Sequence, residues 1–180
     1  APVKYGVVVS RSDLRSFPTL ARAFDSPCDT KFDNWQETAV DPGSPALILH
    51  KNTKGNFVFV QLPSYRGWLP ANKVAVTDRK TWLEFAEPKE FGVVTDKLLT
   101  VSGAGPTYWL YQMGSKIPVT AKGRLLLPLR NAKGYLNPVE MPAPWGDKLH
   151  KGYLPYTENN LVKMAFKHLG APYGWGGMFN

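Results

Sequence analysis

Ala46-Leu47-Ile48-Leu49-His50 and Phe57-Val58-Phe59-Val60-Gln61-Leu62, joined by Asn52-Thr53-Lys54-Gly55-Asn56, decide the fold class. Both runs are rich in aliphatic, β-branched and aromatic residues, which suit the pleated surface of a sheet. The link offers a glycine for positive φ, so the pair reads as a β-hairpin. In the second run Phe57, Phe59 and Gln61 face one side, while Val58, Val60 and Leu62 face the other. Both faces are largely apolar, which fits a small closed barrel better than an open sheet.

Upstream, Tyr5 to Ser10 carries Gly-Val-Val-Val, a buried strand by composition. A polar stretch from Arg11 to Glu37, with Phe17-Pro18 and Ser26-Pro27, reads as one long loop. Loops of that length in small domains are usually functional or mobile. Downstream, Tyr65-Arg66-Gly67-Trp68-Leu69-Pro70 turns into a short strand. Ala71-Asn72-Lys73 makes one helical turn, and Val74-Ala75-Val76 closes a unit spanning 1–77.

A short helix is expected within 78–90, with Asp78 as N-cap, Pro88 beyond its end, and Trp82 and Phe85 buried between two units. Residues 91–142 form a second β-rich unit, with strands at Phe91–Thr95, Leu98–Val101, Tyr108–Met113, Ile117–Val119 and Leu125–Leu129. Its opening Gly-Val-Val echoes the first unit, and Gly134-Tyr135-Leu136 echoes Gly67-Trp68-Leu69. Ser102-Gly103-Ala104-Gly105-Pro106 is a turn: no helix start and no Lys-Ser/Thr follow it, as a phosphate loop would need. Residues 143–180 begin as linker. A helix follows with Thr157 as N-cap and an apolar stripe of Leu161, Val162, Ala165, Phe166 and Leu169, stopped at Gly170. After it comes Ala171-Pro172-Tyr173-Gly174-Trp175-Gly176-Gly177. Aromatics among glycines make either a wall that contacts a ligand or an ordinary turn after a helix.

Sixteen Gly and sixteen Pro in 180 residues favour short strands and turns over long helices. Charged residues make up 20% and aromatics 13%, which excludes a disordered composition. No apolar run approaches the ~20 residues of a membrane-spanning helix. Net charge is +8, with Lys and Arg scattered rather than run together. That is a solvated basic surface drawn to polyanions, and nucleic-acid binding is the third and weakest functional reading. Cys28 has no partner for an internal disulfide, and the adjacent Asp29 disfavours its thiolate. His50, His150 and His168 share no metal-ligand spacing.

Tyr173-Gly174-Trp175-Gly176-Gly177 after an amphipathic helix resembles the segment just before the nucleophilic cysteine of NlpC-type (NlpC/p60) cell-wall cysteine peptidases. Arg11-Ser12-Asp13-Leu14-Arg15-Ser16-Phe17-Pro18-Thr19, and the 47–51 and 57–61 strands, resemble the first of two bacterial SH3-like barrels in one branch of that family. The resemblance covers nearly the whole chain. It implies a mainly β fold: two small SH3-like barrels joined by a short helix, then the first helix of an α+β papain-like domain. The family's Asp-Cys-Ser nucleophile segment is not reached by Asn180, and its histidine lies later still, so His50, His150 and His168 are not recruited and the chain contains no catalytic nucleophile.

By carry-over, Tyr173 lies beside the nucleophile and helps hold an oxyanion, and Trp175 lines the substrate groove. Asp13 and Tyr65 suit the ammonium of a peptide amino end, and Arg15 suits a substrate carboxylate. For Asp13 and Arg15 a local ion pair that orders the loop stands as the alternative. The implied activity is hydrolysis of the γ-D-glutamyl-L-diamino-acid bond of peptidoglycan stem peptides in the periplasm, envelope or exterior. No metal or cofactor is implied. On this reading the 180-residue chain is the targeting and substrate-gating part, inactive by itself, with a missing catalytic segment or a second polypeptide as partner. A stand-alone cell-wall or protein-binding module without catalysis is the other reading.

Overall fold

The computed structural model describes residues 2–177. Ala1 and residues 178–180, the ends of the first and last expected stretches, lie outside the described residues. The first unit contains seven strands: β1 Lys4–Val8, β2 Ser12–Arg15, β3 Gln36–Val40, β4 Pro45–Lys51, β5 Phe57–Gln61, β6 Arg66–Pro70 and β7 Val74–Thr77. They form one antiparallel sheet in the order β3-β2-β6-β5-β4-β1-β7. The β4–β5 hairpin turns where expected: Gly55 has φ +73°, and Asn52 Oδ1 accepts the Phe57 N–H at 3.0 Å. Val58, Val60 and Leu62 point into a core with Val8, Leu14, Ile48, Leu69 and Val74. On the other face Phe59, His50 and Trp68 form a three-ring cluster with centroids 5.0–5.1 Å apart. The Ala71–Lys73 turn is a 3-10 turn that leads into β7.

The polar stretch after Ser10 is not one loop. Ser12–Arg15 is a strand paired with β3 and β6, so the true loop runs from 16 to 35. Its alternation puts Leu14 in the core while Asp13 stays half-buried, a period-two pattern hidden by the charges around it.

Helix α1, Arg79–Ala86, follows. Asp78 caps it by accepting the Thr81 N–H at 2.9 Å; that N–H, and then the Thr81 hydroxyl, hold the carboxyl below its usual value. Trp82 donates to the Ala46 carbonyl at 3.1 Å and lies 5.4 Å from the Tyr5 ring, and Phe85 is buried.

The second unit is three small antiparallel sheets around one core. β8 Phe91–Val94 lies between β11 Lys116–Pro118 and β14 Leu149–Lys151; β9 Leu98–Ser102 pairs with β10 Tyr108–Gln112; β12 Leu125–Leu127 pairs with β13 Val139–Met141. Trp109, Tyr111, Ile117, Leu125, Leu127 and Leu149 fill the core. The unit therefore reaches past the expected boundary at 142, because β14 supplies a strand and the fully buried Leu149. Gly134-Tyr135-Leu136 does not repeat the role of Gly67-Trp68-Leu69. It bridges back to the first unit, with Val76 N–H on the Gly134 carbonyl and Leu136 N–H on the Val76 carbonyl at 3.0 and 2.9 Å.

A second tie between the units is Asp41, in the β3–β4 turn. It accepts from Arg11, from the Gln112 N–H at 3.0 Å and from the Ser115 hydroxyl. Nearby, the Tyr111 hydroxyl is buried without a partner among the described residues, and burial first, then the Asp41 charge, push its phenol up.

Helix α2, Glu158–Phe166, is capped by Thr157 as expected, yet it buries none of its residues. It is held at its C-terminal end, where Lys167 donates to the Thr95 and Asp147 carbonyls at 2.8 and 2.9 Å. Leu161, Val162, Phe166 and Leu169 stay exposed. No helix among the described residues is long and apolar enough to cross a membrane.

Candidate functional site

The 16–35 loop is organised from the inside by one ion pair. Asp33 is fully buried and accepts the N–H groups of Ala23 and Trp35 at 3.0 and 3.1 Å and a hydrogen bond from Arg15 Nη1 at 2.5 Å. Burial works to raise its carboxyl. The Arg15 hydrogen bond, the two backbone donors and the Arg15 charge together outweigh burial and hold Asp33 below its ordinary value. Arg15 is itself only 2% exposed. Its Nη1 also reaches Gln36 Oε1 at 2.9 Å, Nε reaches the Thr19 carbonyl at 3.3 Å, and Nη2 reaches the Ala21 carbonyl. All three nitrogens are committed to the loop. Arg15 therefore shapes the loop instead of facing a substrate carboxylate, and its partner is Asp33, not Asp13.

Gln36 carries this order to the surface. Its Nε2 donates to Asp13 Oδ1 at 2.9 Å and to the Gly176 carbonyl at 3.2 Å. Its own carbonyl accepts the Trp175 indole N–H at 3.0 Å, while the Trp175 backbone N–H reaches the Lys31 carbonyl at 3.2 Å. The 3-10 turn Trp175–Gly177 is thus seated on β3 and the loop. Glycine is required at the contact: Gly176 has φ +56°, and a Cβ there would lie 2.7 Å from Gln36 Cγ and 3.3 Å from two β3 carbonyls.

Above the seat, the Phe32 ring lies 6.1 Å from Tyr173 and 6.3 Å from Trp175, and Phe17 meets Trp35 edge-on at 5.5 Å. Tyr173 and Trp175 remain 67% and 47% exposed, so the rings are open to a ligand. The structure brings Asp13, Tyr173 and Trp175 into one neighbourhood through Gln36 and Phe32. It does not bring in Tyr65, which lines a separate cleft with Pro42, Pro45 and Phe85.

Gln36, Phe32 and Asp33 were not singled out by the sequence. A glutamine carries no motif, and the only available hint was the spacing of Phe32 and Trp35 around an aspartate.

The chemistry open to this surface is recognition: ring faces for apolar or amide surface, and a half-buried carboxylate for a cation. Cys28 is exposed and takes part in none of the hydrogen bonds among the described residues. His50 stacks on rings, His150 Nδ1 meets the Gly152 carbonyl at 3.2 Å, and His168 Nε2 meets Met113 Sδ at 3.2 Å. No thiol–imidazole pair and no metal-holding group of three His, Cys, Asp or Glu side chains occurs among the described residues.

Comparison with known proteins agrees with this architecture. Residues 22–70 match the family described as SH3 domain (SH3b1 type). No curated protein matches the chain. Among solved structures, a novel NlpC/P60 endopeptidase from Photobacterium damselae subsp. piscicida superposes with a TM-score of 0.82 at 23% identity, over 98% of this chain and 39% of that one. An NlpC/P60 family protein from Bacillus cereus ATCC 10987 superposes with a TM-score of 0.61 at 14% identity, over 96% of this chain and 66% of its own length. The chain thus spans about two fifths of the first of these proteins. It is a mainly β polypeptide whose residues 22–70 match the SH3b1-type domain family and whose fold is shared by two NlpC/P60 proteins.

Proposed function

We propose that this chain is the SH3-like targeting and substrate-gating part of a cell-wall cysteine peptidase. The substrate would be the γ-D-glutamyl-L-diamino-acid bond of peptidoglycan stem peptides, outside the cytoplasm at the cell envelope. The observation that carries the reading is the seat of Trp175–Gly177 on β3 and its loop. In an NlpC-type arrangement the nucleophile follows this glycine-rich turn, so Asp13, Phe32, Tyr173 and Trp175 would border the reacting peptide. Asp13 would take the free amino end of a short stem peptide, the rings would wall the groove, and Tyr173 would reach the oxyanion. Arg15 and Gln36 act behind them, by holding the loop and the turn in register.

The exposed stripe of α2 favours this over a stand-alone module. Leu161, Val162 and Phe166 on α2, with Leu169 in the turn after it, would have a place against the rest of a catalytic domain, and a finished module gains nothing by leaving them in water.

The test uses stem tripeptides with a free or an acetylated amino end, and a form of the protein that contains the catalytic segment. Asp13→Asn is expected to raise KM for the free-amine peptide roughly tenfold and to narrow the preference over the acetylated one. Tyr65→Phe serves as the contrast and is expected to change neither. An Asp13 variant with unchanged KM and unchanged preference would refute the gating role, and peptidase activity in the 180-residue chain alone would refute the division of labour.

A further inference from the structure

A cleft of about 550 Å³ separates the two β units, well within the roughly 300–1,000 Å³ of ligand pockets. One wall is the β1–β2 turn with Arg11, the start of β2 with Asp13, and Lys73 in the 3-10 turn after β6. The other is β10, led by Tyr108, and the segment that carries Arg130. Three cations and one carboxylate, Asp13, therefore line the cleft, and Asp41 pairs with Arg11 behind it. Arg11 is paired with Asp41 in the wall, and its Nη2 is buried without an acceptor among the described residues. Asp13 is held by Gln36. Neither Lys73 nor Arg130 has a carboxylate within 4.0 Å among the described residues, although Arg130 Nε donates to the Val74 carbonyl at 3.2 Å.

The balance leaves one positive charge in excess, at a place where residues of the two units line one cleft. Cations that line one cleft without a matching carboxylate favour an anion between them. From this we infer that the cleft binds a monoanionic carboxylate, the terminal carboxylate of a short peptide, on Lys73 and Arg130. Both residues line the cleft, one from each unit, and a guanidinium and an ammonium together suit the two oxygens of one carboxylate. The single excess charge and the nearby Asp13 disfavour a dianionic phosphate. Tyr108, 63% exposed at the cleft, offers a ring face to the residue before the carboxylate. Such a ligand would touch both units at once, so it would also hold them together. The cleft borders the candidate site at Asp13 and Gly177, but the inference goes beyond the peptidase reading, because it needs no nucleophile and concerns the junction of the two units.

The experiment is a titration of the 180-residue chain with acetyl-alanyl-alanine, followed by amide chemical shifts and calorimetry. The same peptide as its C-terminal amide, and inorganic phosphate, are titrated in parallel. The acid is expected to shift the amides of Tyr108 and Leu110 and of the 9–13 turn, with the amide and phosphate at least about tenfold weaker. Lys73→Gln is expected to weaken the acid about tenfold, a loss typical of one charge-assisted bond, while leaving the thermal midpoint in place. Lys151→Gln, at an exposed pair with Glu90, is expected to leave binding unchanged. Arg130→Gln repeats the loss but also removes a tie to Val74, so Lys73→Gln is the deciding variant. Equal binding of the amide, equal binding of phosphate, an unchanged Kd in Lys73→Gln, or no cleft shifts up to about 10 mM acid would each overturn the assignment.

Discussion

Asp33 and Asp41 are both largely buried carboxylates paired with an arginine, yet they hold different things. Asp33 lies inside one loop of the first unit, with all its partners between residues 15 and 35. Asp41 lies in a turn and reaches across to Gln112 and Ser115 of the second unit. One orders the candidate site from within, and the other fixes how two small cores sit together. The difference teaches that loss of the first should scramble a site locally but expensively, and that loss of the second should uncouple two units that each keep their core.

The largest expected effect is Asp33→Ala. It leaves Arg15 buried without its counter-charge, which costs about 3–5 kcal/mol, most of the stability of a small domain. Urea denaturation measures it, and a loss under about 1 kcal/mol would mean that the loop relaxes and lets water reach Arg15. Acid provides the same test without mutation. Because the folded carboxyl of Asp33 titrates below its unfolded value of about 3.9, its stabilisation is complete above that pH and is lost as pH falls toward the folded value. Asp33→Asn is expected to flatten that part of the stability–pH curve. An unchanged acid limb would place the sensitivity on another carboxylate.

Asp41→Ala comes next, at about 1–3 kcal/mol for orphaned partners at a junction. Its distinguishing mark is cooperativity: unfolding followed by Trp fluorescence and by far-UV circular dichroism should cease to coincide as the units melt apart. A single coincident transition at lower midpoint would mean that the backbone bridge at Val76 and helix α1 suffice to couple them.

Gly176→Ala is smaller, about 1–2 kcal/mol of local strain from the positive φ and the contact with Gln36. It should free Trp175 from β3, seen as a red-shifted indole emission, with little change in the melting of either core. If the emission does not move, the seat is wider than the geometry implies.

The same contrast explains what could be read from the chain. The β4–β5 hairpin, α1 with its Asp78 cap and α2 with its Thr157 cap follow from local rules, because periodicity and cap residues act over a few positions. The β2 strand was hidden because Ser12-Asp13-Leu14-Arg15 alternates with polar residues whose partners lie some twenty positions away. β14 was missed for a similar reason: Leu149-His150-Lys151 is a short polar run, and only Leu149 shows its purpose once β8 is beside it. At the site, Tyr173 and Trp175 were visible as aromatics among glycines. Gln36 was not, since its role comes from contact with Gly176 across 140 positions. Arg15 was visible with two roles open, a substrate carboxylate or a local ion pair that orders the loop, because a sequence does not tell a buried guanidinium from an exposed one; its true partner, Asp33, was not foreseen.

The smallest effect sharpens the account of Asp41. Tyr111 is buried beside that carboxylate and its hydroxyl meets no partner among the described residues. A buried unsatisfied hydroxyl is a standing cost, and the ring supplies nearly all the packing. Tyr111→Phe should therefore be neutral or stabilising by up to about 1 kcal/mol, where a phenol bonded to Asp41 would make the same change destabilising by a similar amount. The double variant with Asp41→Ala separates the two cases. If Tyr111 feels Asp41 only as a distant charge, the two changes add within about 0.5 kcal/mol; a larger coupling would show a direct bond and make Asp41 a partner of the second core itself.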